Sequence, residues 1–296
     1  MDVNCEGHIE ADTKFALFLS KLEGPKNIVV RCADTDILVI NLANIINFDR
    51  NLRIWLQFGS GNNCRFINIT EIHKALGNLL CSALPAFNAI TGSDFTPALY
   101  KKGKSKPFSI LRSTEKYQSA FRDLADPTLL ESCKGTIEEF VCKMYSTKKN
   151  QVKNIKKVNE ARCRIFVQHY GMIDDMEQFK KKVVTFDASH LPPCLRELEQ
   201  QILRTVYVSH MWTDSHKNIP SVLDPTKYGW KLSDEDEYTF NWFEGPETPD
   251  SINEIVISPE TPLGEDDEND ESCNSDDDDD DDLQSDVSVL DNGDTM

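Results

Sequence analysis

Apolar residues follow helical spacing near the start of the chain and then give way to strand-like runs. Residues 9–23 carry apolar side chains at positions 11, 15, 18, 19 and 22, and Gly24-Pro25, a pair that ends helices, follows them. Residues 27–32 are a short run rich in β-branched side chains, which is typical of a strand buried on both faces of a parallel sheet. Residues 37–45 predict the next helix.

A pair of strands and a series of helices are predicted farther along. Residues 52–58 and 64–69 flank a short connection at 59–63, and this arrangement predicts an antiparallel hairpin. Thr70 is a candidate N-cap for a helix that we expect to end at Pro85. The patterns from 107 to 207 are mostly helical, and the clearest segments are residues 118–124, 137–145, 161–170 and 194–208.

Basic and acidic residues divide the chain unevenly. Residues 1–231 contain 32 Lys and Arg against 25 Asp and Glu, whereas residues 232–296 contain 25 acids and no Lys or Arg. The positive excess of the first part leaves a polyanion such as nucleic acid open as a partner. Basic residues gather between 143 and 164, either as a solvated helix face or as a phosphate-binding surface.

The end of the chain predicts a disordered acidic tail. Residues 258–296 include seven consecutive aspartates at 276–282 and have too few apolar side chains to offset the entropy lost on ordering. Such a tail can compete with phosphates for the basic residues or bind a basic protein partner, and it can also serve solubility alone.

Composition excludes several other classes of protein. The apolar stretches are far shorter than the ~20 residues of a membrane helix, and the first residues lack the order of a signal peptide. We therefore expect an intracellular protein without a membrane partner, and the lysine cluster at 148–157 favours the nucleus. The nine cysteines contain no C-x-x-C pair, which favours reduced thiols over zinc ligands. The motifs of P-loop, serine-hydrolase and zincin enzymes are absent.

Three acidic clusters carry the candidate chemistry: Glu10-Ala11-Asp12, Asp34-Thr35-Asp36 and Gly92-Ser93-Asp94. The second cluster follows the first predicted strand, and the carboxyl ends of parallel strands border the ligand crevice of α/β folds. Carboxylates held close together repel one another unless a divalent cation neutralises them, and oxygen-only ligands select Mg²⁺ or Mn²⁺. Two such ions about 4 Å apart can clamp a phosphodiester for hydrolysis.

Each acid also has a simpler structural explanation. Asp12 suits the start of a helix, Asp34 and Asp36 can cap the next helix, and Asp94 can form an Asx turn. Glu10 and Asp12 can share one centre only if Glu10 lies at or before the first helical turn, because residues i and i+2 point about 200° apart on a helix. An isolated histidine such as His8 is expected at the surface.

The same segments resemble a known family. Glu10-Ala11-Asp12-Thr13, the run from Ala33 to Leu38, and the stretch from Leu84 to Phe95 resemble the central and later part of a PIN-like nuclease domain of the flap-endonuclease type. They resemble still more closely a group of uncharacterised animal proteins linked to mobile elements. The resemblance covers about residues 6–112, with a weaker section at 191–242.

The resemblance implies a fold and an activity. The fold is α/β, a partial PIN-like (Rossmann-like) three-layer domain at 1–112 with an added β-hairpin, then a mainly helical region with an aromatic end at 113–257 and the tail at 258–296. The activity is cleavage of DNA or RNA with two Mg²⁺ or Mn²⁺ ions, in which Asp34 and Asp36 are catalytic. The implied metal ligands are Glu10, Asp12, Asp34, Asp36 and Asp94, and the implied nucleic-acid contacts are Lys101, Lys102, Lys104 and Lys106.

The chain departs from the family pattern at its start. A PIN-like domain begins with a strand that bears another metal-binding aspartate, and here 11 residues precede Asp12. The strand at 28–32 needs neighbours for its backbone groups, so we expect an amino-terminally incomplete domain: a fragment, a decayed and inactive copy, or a chain that borrows strands from a partner. The alternative function is a non-enzymatic module that binds nucleic acid or protein under control of the acidic tail.

Overall fold

The computed structural model describes residues 5, 7–147, 152, 154–170, 178 and 188–246. Met1–Gly245 group into one compact unit, and Pro246–Met296 form a second unit of which the structure describes Pro246 alone. The predicted acidic tail at 258–296 lies outside the described residues. So do several lysines of the basic stretches, namely Lys148, Lys149, Lys153 and Lys180 to Lys182.

A small mixed sheet organises the first third of the chain. Its elements are α1 (Thr13–Ser20), β1 (Lys26–Arg31), α2 (Thr35–Asn44), β2 (Leu52–Phe58) and β3 (Arg65–Asn68). β1 pairs with β2 in parallel and β2 pairs with β3 antiparallel, so the predicted hairpin is confirmed. The first strand has one parallel neighbour, because α2 acts as a crossover that brings β2 beside β1, and β1 lies at the edge of the described sheet.

The hydrophobic core of the described residues lies against one face of this sheet. Val30, Ile54 and Leu56 are buried in that core. Asn27 and Val29 on the opposite face of β1 are exposed. The expectation of burial on both faces is therefore wrong, since successive side chains of a strand point to opposite faces and the described residues cover one of them.

The helix predicted to end at Pro85 is instead two helices that divide at Gly77. Asn68 caps α3 (Ile69–Leu76) by accepting a hydrogen bond from the Glu71 N–H at 3.1 Å, and Gly77 has a φ of 82°. α4 (Asn78–Ile90) then runs through Pro85. An interior proline costs about 3 kcal/mol. Burial of nearly every side chain from Leu80 onward offsets this cost, because α4 packs against α2 and later helices.

The helical part matches the prediction closely. Its elements are α5 (Ser105–Arg112), α6 (Glu115–Asp123), α7 (Leu130–Tyr145), α8 (Val158–Tyr170) and α9 (Leu195–Thr213). All four of the clearest predicted segments are confirmed. Edge-to-face aromatic contacts join neighbouring helices. The ring centroids of Phe121 on α6 and Phe140 on α7 are 4.8 Å apart, and those of Phe87 on α4 and Phe121 are 6.2 Å apart.

A buried arginine fastens the end of the described chain to α9. Arg204 has no exposed surface, and its Nη1 donates to the carbonyl oxygens of Gly229 at 3.0 Å and Asn241 at 2.8 Å. These residues flank the antiparallel pair β4 (Trp230–Leu232) and β5 (Tyr238–Phe240).

Together, these helices and two small sheets make the chain a mixed α/β protein. No helix in its described part has the length and apolar character needed to cross a membrane.

Candidate metal and nucleic-acid site

The first acidic cluster lies at the start of α1. Glu10 precedes the first helical residue, Thr13, so the condition for Glu10 and Asp12 to share one centre is met. Asp12 occupies the N-cap position but makes no side-chain cap hydrogen bond. The Glu10 carboxylate is held in place by Trp212, whose indole Nε1 donates to Glu10 Oε2 at 2.7 Å.

The second cluster joins helix capping to a polar network. Asp34 is the N-cap of α2 and accepts a hydrogen bond from the Asp36 N–H at 2.8 Å, which is the structural role foreseen for it. The Asp36 carboxylate accepts from Asn88 Nδ2 at 2.8 Å. The Asn88 side-chain oxygen accepts in turn from the Lys104 ammonium. The Asn88 amide on α4 thereby links Asp36, a predicted metal ligand, to Lys104, a predicted nucleic-acid contact.

The third cluster lies in a tight loop after α4. Gly92 has a φ of 115°, and a Cβ at this position would lie 2.9 Å from the Ala98 Cα, so only glycine fits. Ser93 and Thr96 pair through both backbone groups, and Ser93 Oγ accepts from the Phe95 N–H at 3.3 Å. The turn is thus made by Ser93, and the Asp94 side chain is exposed.

The acids of all three clusters act electrostatically on one another. Burial raises the pKa of Glu10 to about 7, and the negative charges of Asp12, Asp36 and Asp94 add to the rise, while the Trp212 hydrogen bond opposes it. Burial also raises the pKa of Asp12, and Asp34 and Asp94 reinforce that shift. Carboxylates from three distant segments therefore face the same region.

The pKa of Asp36 is raised as well. Burial is the largest cause, and the charge of Asp34 is the next. The Asn88 hydrogen bond and the Lys104 charge work in the opposite direction, because both stabilise the ionised carboxylate. Burial lowers the pKa of Lys104, and the two aspartates counteract this. Lys104 is thus a cation at the edge of a cluster of anions.

The distances between the acidic side chains decide whether they can coordinate one metal ion in this structure. Among the described residues, no three His, Cys, Asp or Glu side chains come close enough to hold one metal ion. The donor set itself consists of carboxylate oxygens, which suit hard divalent cations such as Mg²⁺ and Mn²⁺. The acids share one region, but no three of the described ones converge on a single ion position.

The four predicted nucleic-acid lysines differ in what they contact. An open cleft of about 560 Å³ borders Asp94 and Lys101 to Lys104. The Lys101 and Lys102 ammonium groups lie over aromatic rings, 5.3 Å from the Tyr100 centroid and 4.6 Å from the Tyr145 centroid. Lys106 donates to the backbone carbonyl oxygen of Ser146, just after α7, at 2.8 Å. Lys104 is the lysine that joins the carboxylate network.

Two described lysines of the basic segment contact acids within the fold. Lys157 Nζ lies 3.0 Å from Glu138, and Lys156 Nζ lies 3.6 Å from Glu139. The buried Glu138 also accepts the Val158 N–H at the start of α8, at 2.9 Å. Lys156 and Lys157 precede α8 and pair with acids of α7, so they are not part of a helix face, and the choice between a solvated surface and a phosphate-binding surface stays a prediction.

Sequence reasoning missed two members of the site and misplaced a third residue. Asn88 is a polar residue inside an apolar helical run, which is a usable signal, whereas no local pattern connects Trp212 to Glu10. His8 is 8% exposed, with its ring nitrogens 2.9 Å from Thr13 Oγ1 and from the Lys217 carbonyl oxygen. It is therefore a buried structural residue rather than a surface one.

No protein-family model, curated protein or solved structure matches this chain.

Proposed function

We propose that the protein is a PIN-like, metal-dependent nuclease that hydrolyses phosphodiester bonds of DNA or RNA. The observation that carries the proposal is the convergence of Glu10, Asp12, Asp34, Asp36 and Asp94 from three segments on one region beside Lys104. Glu10, Asp12 and Asp36 are partly buried and repel one another and their acidic neighbours, which destabilises the fold, and a function that requires their charge explains why they are together.

The residues of the chain have distinct roles in this proposal. The five acids would hold Mg²⁺ or Mn²⁺, and when bound these ions activate water and stabilise the leaving oxygen of a phosphodiester. Trp212 orients Glu10 through its indole N–H, and Asn88 orients Asp36. Lys104 lies where its charge can attract a backbone phosphate to the acidic cluster, which would otherwise repel it.

A second candidate function is binding of nucleic acid without cleavage. The separation of the carboxylates favours it, because no three of the described acids lie within reach of one ion. Binding of the acidic tail to a basic protein and a nuclear location stay predictions.

Cleavage assays distinguish the two functions. We expect the full chain to cut labelled single-stranded or flap DNA or RNA with Mn²⁺ and to lose this activity in EDTA. Asp94→Asn should lower the rate about tenfold or more, since removal of a metal-site group typically costs roughly 10–100-fold. The matched control is Asp234→Asn, which changes another exposed loop carboxylate. Equal rates for both variants, or cleavage that persists in EDTA, would remove the proposed site.

A further inference from the structure

The open face of the sheet has a composition of its own. The strand register places Val29, Trp55 and Asn68 in one row across the three strands and Arg31, Gln57 and Phe66 in the next row. Asn27 and Arg53 form a third row across β1 and β2. This open face therefore presents two arginines, three side-chain amides, two aromatic rings and one valine, and it contains no acid.

The two faces of the sheet differ in chemistry. The covered face is apolar and includes the buried Val30, Leu52, Ile54 and Leu56. A sheet face that packs against a helix would have a similar apolar composition, because both faces of a covered sheet are rich in Val, Ile and Leu. The open face is instead mixed polar and aromatic, so an apolar polypeptide layer is a poor match for it.

The aromatic side chains of the open face lack partners in the core. Phe66 is 56% exposed and Val29 is 52% exposed. Trp55 is partly buried but does not belong to the hydrophobic core of the described residues. Exposed large apolar groups in one patch commonly mark a binding surface.

The cationic side chains of the open face are available to a ligand. Arg31 and Arg53 are exposed, and neither forms an ion pair with any residue that the structure describes. The strands contain no acidic residue, so the complementary ligand is an anion.

We propose that this open face binds a single strand of nucleic acid. Unpaired bases can stack on Phe66 and Trp55, the arginines can contact phosphates, and the amides can hydrogen-bond to base edges. Positions two apart on a strand are roughly 7 Å apart, which suits successive nucleotides of an extended strand. Duplex nucleic acid offers no unstacked bases and should bind less well.

The open face also leads toward the carboxylate cluster. Arg31 ends β1, and Asp34 follows it by three residues at the carboxyl end of the same strand. A nucleic-acid strand lying on the open face would therefore run toward the proposed cleavage site. The substrates of that site should accordingly be single-stranded. The binding proposal does not depend on cleavage, because it rests on the open face alone.

Fluorescence anisotropy in EDTA at low salt tests the proposal without any catalytic step. The probes are labelled oligothymidylate DNA and oligouridylate RNA of about 12 nucleotides, with the full chain as the binder. Phe66→Ala should weaken binding at least fivefold, since base stacking accounts for roughly 1–3 kcal/mol per base. Arg31→Ala with Arg53→Ala should weaken it at least tenfold and reduce the salt slope by about 1.4.

Matched controls separate the open face from general positive charge. Arg112→Ala with Arg196→Ala removes the same charge from exposed positions on helices and should leave the affinity within about twofold. A duplex of the same length should compete less well than the single strand. Absence of binding by the wild-type protein would overturn the proposal. So would equal loss in both double variants, equal competition by duplex, or binding that Phe66→Ala leaves unchanged.

Discussion

Asp34→Asn is expected to reduce Mn²⁺-dependent cleavage by about 100-fold or more. Mutation of a residue that only orients a metal ligand already lowers metal affinity or activity roughly 10–100-fold. The free energy of unfolding should change little. Asparagine is as good an N-cap as aspartate, so its side-chain oxygen can still accept the Asp36 N–H that Asp34 accepts at 2.8 Å. The substitution therefore removes a negative charge while it preserves the start of α2.

The chain offers a closely matched control for this substitution. Asp224 is also an N-cap, and its side chain accepts the Thr226 N–H at 3.1 Å. It is remote in sequence from the acidic clusters and is not among the charges that act on Glu10, Asp12 or Asp36. Asp224→Asn should cleave at the wild-type rate. Similar rates for the two variants, measured with urea unfolding of both, would show that Asp34 serves only as a cap.

Arg204→Met is expected to lower the free energy of unfolding by about 3–5 kcal/mol. Its guanidinium donates to the carbonyls of Gly229 and Asn241 and, at 3.3 Å, to Gln201 Oε1. A buried acceptor left without its donor costs roughly 1–3 kcal/mol, and methionine retains the apolar stem while supplying no donor. The guanidinium also lies 5.1 Å from the Phe240 ring centroid, a contact that the variant loses.

Urea unfolding of the full chain measures this effect, with Arg196→Met as control. Arg196 belongs to the same helix but is exposed, so its replacement should change stability by less than about 0.5 kcal/mol. Burial of the Arg204 charge is itself unfavourable and lowers the pKa of Arg204 to about 10. Equal stability of the two variants would show that relief of this burial offsets the lost hydrogen bonds.

The sequence predicted most of the elements because their signals are local. The spacing of apolar residues indicated α1, α2 and the four later helices α6 to α9, and the connection at 59–63 indicated the hairpin. The pairing of β1 with β2 was missed because it joins segments about 25 residues apart, which no local pattern reports. The division at Gly77 was missed because Pro85 is the stronger local breaker, and tertiary burial overrides it.

The candidate site was predictable in part. The acidic clusters could be found from their position after a strand and at helix ends, and their mutual electrostatic effect depends on the fold. Trp212 lies 202 residues from Glu10 in sequence, so its hydrogen bond to that carboxylate could not be predicted. The sequence makes Lys104 look equivalent to Lys101, Lys102 and Lys106. In the structure, the position of Asn88 on α4 distinguishes Lys104 from the other three.

The central claim is that divalent cations bind in the region where the five carboxylates converge, and Tb³⁺ luminescence excited through tryptophan tests it most directly. Tb³⁺ takes the same hard oxygen ligands as Mg²⁺ and Mn²⁺. The indole of Trp212 donates to Glu10 Oε2 at 2.7 Å, so an ion bound at this site lies close to a sensitising indole, and the paired variants below separate its signal from that of the other tryptophans and the acidic tail. We expect a saturable signal that Mn²⁺ displaces and that Asp34→Asn with Asp94→Asn weakens at least tenfold. Asp224→Asn with Asp234→Asn should retain it, and an equal signal from both double variants would contradict the claim.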